Sequence, residues 1–174
     1  MKSTGISALL LTTALLFPAS SLADVPTGPP RLSPMATLSQ VVGVSEVEIT
    51  YSRPGVRDRV VWGELVPLGE IWRTGANEAT TLRLSHDAMI DGSALAAGTY
   101  SLFTVPGETE WTVVFNKVAD QWGAFSYDSG KDAARVRAKP QTAEHEESMT
   151  FEIEGSSVVL RWEKLAVDFE VAAD

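Results

Sequence analysis

The sequence predicts an all-β protein: a single-domain antiparallel β-sandwich, jelly-roll-like or barrel-like, of about eight or nine strands with one long loop rich in arginine and tryptophan. Three observations point there. Apolar residues recur at every second position in five short runs. Two further runs are apolar on both faces, as central strands are. Turn-forming pairs punctuate the chain, and no strong helical period extends over ten residues.

Taken in order, residues 1–23 read as an export signal. Lys2 precedes a mostly apolar stretch at 6–19, too short for a typical membrane span, and Ser21-Leu22-Ala23 has the small-x-small pattern that signal peptidase cuts. Cleavage after Ala23 is expected, which places the mature chain in the periplasm or outside the cell and makes ATP- or nicotinamide-driven chemistry a poor fit. No twin-arginine pair precedes the apolar run, so export in the unfolded state is the simpler expectation. Residues 24–34 hold four prolines in eleven positions and read as an extended, mobile leader. Residues 35–174 are then one domain.

Within that domain Val47, Ile49 and Tyr51 alternate with Glu46, Glu48 and Thr50, and Leu82 and Leu84 with Thr81, Arg83 and Ser85. Residues 99–105 and 111–116 are the doubly apolar runs. Met149, Phe151 and Ile153 form the next alternating set, Val158, Leu160 and Trp162 another, and Leu165, Val167, Phe169 and Val171 the last. The last three sets are joined by short connections and predict an antiparallel meander of three strands. Single helical turns are expected near 64–68 and 132–136.

Composition narrows the function. The chain of 174 residues has a formal charge of −9 and no cysteine. A net acidic protein repels nucleic acid unless it carries a basic patch, and no patch here is large enough to track a phosphate backbone. The missing cysteines exclude disulfides, thiolate metal sites and cysteine nucleophiles. After residue 23 no apolar run approaches the roughly 20 residues of a membrane helix, so the mature chain is expected to be soluble.

Residues 51–80 break the alternation. This long excursion holds Arg53, Arg57, Arg59 and Arg73 but no lysine, together with Trp62, Trp72, Asn77 and Glu78. Guanidinium forks bind carboxylate or phosphate at two points, which an ammonium does not. The same groups also pin loops to neighbouring acids, and Asp58, Glu64, Glu70 and Glu78 are at hand.

The strings Y-S-R-P at 51–54, W-R-T-G-A-N-E-A-T at 72–80, A-G-T-Y-S-L-F-T-V-P at 97–106, E-W-T-V-V-F-N-K at 110–117 and W-G-A-F-S-Y-D at 122–128 resemble a bacterial exported family, domain of unknown function 2911. The likeness spans about residues 33–171. Asp58 stands where the family pattern has glycine, and Phe125 where it has tyrosine. The resemblance implies an extracytoplasmic β-rich domain and transfers no catalytic residue.

Other chemistry is thin. In Ser85-His86-Asp87, strand geometry would turn His86 away from both neighbours, and a triad needs its base bonded to both. His145-Glu-Glu-Ser-Met149 lacks the second histidine of a zinc helix, and Asp128-x-Gly130-x-Asp132 lacks the remaining ligands of a calcium loop. No metal or cofactor is expected. Glu78 and Asp128 are the candidate carboxyl pair for an envelope-polymer hydrolase, the alternative reading. A structural or interaction domain of the cell envelope is the other. The leading expectation is a binding module for a small anionic or sugar-like ligand. In it Arg53, Arg59 and Arg73 hold the anion, Asn77 orients it beside Glu78, and Trp72 or Trp122 stacks, with the segment from Asn116 to Tyr127 closing the pocket.

Overall fold

The computed structural model describes residues 30–174. The export signal at 1–23, its cleavage point and the first part of the leader lie outside the described residues.

Ten strands form two antiparallel sheets that face each other across one core, an open sandwich and not a closed barrel. The larger sheet contains β1 (Met35–Val42), β2 (Ser45–Ser52), β3 (Thr80–Leu84), β6 (Gly98–Val105), β7 (Trp111–Asn116) and β8 (Asp132–Ala138), in the order β1-β2-β3-β6-β7-β8. The smaller holds β4 (Ala88–Ile90), β5 (Ser93–Leu95), β9 (Gln141–Glu154) and β10 (Ser157–Ala172), in the order β5-β4-β10-β9. Val47, Ile49, Leu82 and Leu84 face inward from the first sheet and meet Val158, Leu160, Phe169 and Val171 from the second. This is the half-buried alternation that period two encodes.

β6 and β7 sit inside the larger sheet and are apolar on both faces for a structural reason. Leu102 and Phe115 join the main core, while Phe103 and Val114 point outward into a second small cluster with Ala79, roofed by Ile71, Ala124 and Tyr127. The outer face of the sheet at β6 and β7 is thus covered by connecting segments.

Ten strands are present where eight or nine were expected, and the differences have causes. The 158–162 and 165–171 runs are not two strands of a meander but the single strand β10. Its buried set switches from even positions ending at Trp162 to odd positions from Leu165, because a bulge intervenes: Glu163 has φ 56°, and the register against β9 shifts on either side of it. Residues 132–136 are no helical turn but the start of β8, after a 3-10 turn at Ser129–Lys131. Residues 64–68 are a non-helical turn closed by Val66 N–H to Val61 O at 2.8 Å. β1, an exposed edge strand, and the short β4 and β5 complete the set.

Gly43 (φ 58°) makes the β1–β2 turn, and a Cβ there would lie 1.8 Å from Ala173 O, so only glycine lets this turn dock on the chain end.

Candidate functional site

The excursion between β2 and β3 is pressed onto the sandwich. Val56 N–H donates to Glu147 O (2.8 Å), Met149 N–H to Pro54 O (2.9 Å), and Trp72 exchanges backbone bonds with Thr104 (2.8 and 2.9 Å). Trp62 is the hub of its underside, edge-on to Trp72, Trp111 and Trp162 at 5.9, 5.0 and 5.6 Å between ring centroids. Packing of Trp62 and Trp72 on Trp111 of β7 and Trp162 of β10 joins the loop to the main core.

Residues 31–34, which the proline count places in the leader, lie against this excursion. Arg53 N–H donates to Pro34 O (2.9 Å), Asn77 Nδ2 to Ser33 O (3.3 Å) and the Arg57 guanidinium to Leu32 O. Carbonyls of an extended segment thereby satisfy donors of the loop.

Between the two lies a cavity of about 310 Å³. Arg57, Arg59 and Arg73 line it with Asn77, Trp72 and Trp162, and among the described residues its lining contains no aspartate or glutamate. The three guanidiniums are not equivalent. Arg59 donates to Val56 O (3.0 Å) and Gly55 O (2.6 Å), so its inner nitrogens are committed to the loop backbone. Arg57 is held by Leu32 O. Arg73 has no ion pair, and its buried Nε has no acceptor among the described residues. Burial without a counter-charge pushes the Arg73 pKa below the ordinary guanidinium value.

The sequence-predicted residues therefore divide. Arg59, Trp72, Arg73 and Asn77 share the cavity. Arg53 does not: it donates to Met149 O (2.9 Å) and Thr150 Oγ1 (2.6 Å) and ties the end of β2 to β9. Nor does the 116–127 region close the cavity. Fully buried Asn116 bonds Asp128 O and Asp132 Oδ1 (2.9 and 2.8 Å), holding the β7–β8 connection. Tyr127 donates to Asp132 Oδ2 (2.8 Å) and accepts from Arg135 (2.6 Å); burial first, then Asp132, pushes its phenol up to about 12. Trp122 is 62 % exposed on a different surface. The cavity is instead walled by Leu32, Ser33 and Trp162, which sequence reasoning assigned to a leader and to the core. Arg57, present in the four-arginine set, is the lining residue that composition alone flagged.

Glu78 faces away from the cavity, onto the outer sheet surface, and pairs with Arg31 at 2.7 Å. That hydrogen-bonded guanidinium holds the Glu78 carboxyl below its usual range. Asp128 accepts from Gly130 N–H at 2.9 Å, capping the 3-10 turn. The raised carboxyl pKa that a general acid requires is thus not found at Glu78.

Ser85 and His86 occupy a bend rather than a strand, so the expected divergence of their side chains is overturned: Ser85 Oγ lies 2.9 Å from His86 Nδ1. Asp87 instead accepts from Ala97 N–H at 2.8 Å. Serine occupies the ring nitrogen that a triad aspartate would hold, and no triad results.

Fold and site define a β-sandwich whose one long loop, anchored by its tryptophans on indoles of both sheets, encloses a cationic hollow. The chain belongs to the family described as protein of unknown function (DUF2911), whose pattern it matches over residues 33–171. No curated protein and no solved structure matches it.

Proposed function

We propose that the protein is a binding module for a small anionic ligand, a carboxylate or phosphate, received in the cavity under the excursion. The observation that carries this reading is Arg73: a half-buried guanidinium with an orphan Nε, in a lining of three arginines and no acid, on a chain of net charge −9. Leaving a buried charge unpaired is costly, and an anion would supply both the counter-charge and the acceptor. Asn77, whose Nδ2 is taken by Ser33 O, leaves its side-chain oxygen to orient a protonated group of the ligand.

The geometry favours an anion over sugar stacking. Trp72 and Trp162 are both buried and stacked on each other, so neither offers a free ring face. The reading includes export through residues 1–23, so that the ligand is met in the periplasm or beyond the cell. Calorimetric titration with inorganic phosphate and with succinate tests it: saturable binding that Arg73→Met weakens while the melting temperature holds supports the module, and no binding of any anion rejects it.

A further inference from the structure

A second hollow, of about 240 Å³, lies on the outer face of the larger sheet, where Thr50 and Ser52 of β2 and Thr81 of β3 point away from the core. Its chemistry is the inverse of the first. Glu78 and Asp120 line it, and among the described residues no lysine or arginine does. Met35, Ala79 and Ala119 give it apolar walls.

One buried side-chain atom in that lining, Gln121 Oε1, has no partner among the described residues. Gln121 is only 7 % exposed, and its Nε2 donates to Val118 O (2.7 Å), Ser101 Oγ (3.1 Å) and Asn116 Oδ1 (3.4 Å). Those bonds fix the amide, and Oε1 on its other side is left with no donor. Ser52, 2 % exposed, turns its hydroxyl toward Glu78 and helps to hold that carboxyl down. A buried polar atom is rarely left alone in a native fold. An unused amide oxygen and two carboxylates, one of them backed by a hydroxyl, ask for a ligand rich in hydrogen donors.

Glu78 already demonstrates the preference, because it holds the guanidinium of Arg31 at 2.7 Å in an exposed pair. Trp122 stands opposite Glu78 in an antiparallel bridge, which puts both side chains on one face, and its indole is 62 % exposed. Trp122 does not line the hollow itself, but an exposed aromatic ring beside Glu78 attracts a cation by its quadrupole.

We propose that this hollow is a second binding site, separate from the anion cavity, for a primary ammonium or guanidinium group carried on a short apolar stem. The charged head is held by Glu78 and Asp120, Gln121 Oε1 and Ser52 Oγ accept its remaining protons, and the stem lies on Met35, Ala79 and Ala119. Arg31 is the exchangeable occupant of Glu78.

The test is calorimetric titration of the purified protein with benzylammonium chloride at low ionic strength, with neutral benzyl alcohol alongside. Saturable binding of the cation alone is expected. Arg31→Ala tightens it several-fold by freeing Glu78, and Glu78→Gln weakens it at least about tenfold because a charge-assisted hydrogen bond is lost. Glu78 is half-buried and its ion pair with Arg31 is exposed, so Glu78→Gln is expected to fold, which a thermal melt beside the parent checks. Arg73→Met leaves the affinity unchanged, which separates this site from the anion cavity. The proposal is overturned if the Arg31→Ala protein shows no saturable binding, if Glu78→Gln binds as well as the parent, or if benzyl alcohol binds equally.

Discussion

Trp72 stacks on Trp162 with ring centroids 5.8 Å apart and planes 19° apart, one indole from the excursion and the other from β10. The pair joins a loop that period two does not describe to a strand that it does. It also forms one wall of the arginine-lined cavity, so the cationic hollow is held in shape by apolar packing rather than by ion pairs.

Removing that support should be expensive. Trp162 is 1 % exposed and touches both Trp62 and Trp72. Trp162→Ala is expected to cost about 3–5 kcal/mol in urea unfolding, the range for a large aromatic removed from a core. A loss under about 1 kcal/mol would mean that the excursion is not anchored there.

Arg53 and Arg73 should behave oppositely although both stand in one loop. Arg53 makes two hydrogen bonds to β9, and Arg53→Ala is predicted to lower stability by about 1.5–3 kcal/mol, the range for hydrogen bonds from charged groups. Arg73→Met removes a half-buried charge whose Nε lacks an acceptor and keeps the aliphatic stem, so unfolding stability should hold or rise. Equal destabilisation by both substitutions would show that Arg73 is scaffolding.

Tyr127 gives a pH signature. Its folded pKa, about 12, lies above the ordinary phenol value of 10.0, so the folded state favours the protonated phenol. Between those values the unfolded chain loses its proton first, and stability falls as pH rises. The contribution is intact below pH 10 and lost between about 10 and 12. The stability difference between the parent and Tyr127→Phe should therefore be flat up to pH 10 and shrink above it. A difference that stays constant to pH 12 contradicts the partial burial of the Tyr127 phenol and its bond to Asp132.

Much of the fold is legible because burial follows side-chain parity. β2 and β3 show it directly, and β6 and β7 declare themselves central by being apolar on both faces. Parity also misleads: the bulge at Glu163 flips the buried set, so one strand of 16 residues reads as two. β8 escapes notice because it is an edge strand on which only Val136 and Ala138 are fully buried. At the site, the surplus of arginine over lysine is visible in the sequence, but its division is not. Arg53 meets the carbonyl of a residue 96 positions away, and no residue type announces a carbonyl. The docking of 31–34 is hidden for the same reason, since its contacts to Arg53, Arg57 and Asn77 are made by backbone oxygens.

The proposal stands or falls on Arg73 as the group that receives an anion. Its most direct test is the affinity of inorganic phosphate and of succinate for the parent and for Arg73→Met, read by calorimetry beside a thermal melt of each protein. The account predicts saturable binding of at least one anion, weakened about tenfold or more in the variant as a charge-assisted bond is lost, with the melting temperature unchanged or raised. Undiminished affinity in Arg73→Met, or an unfolded variant, would contradict it.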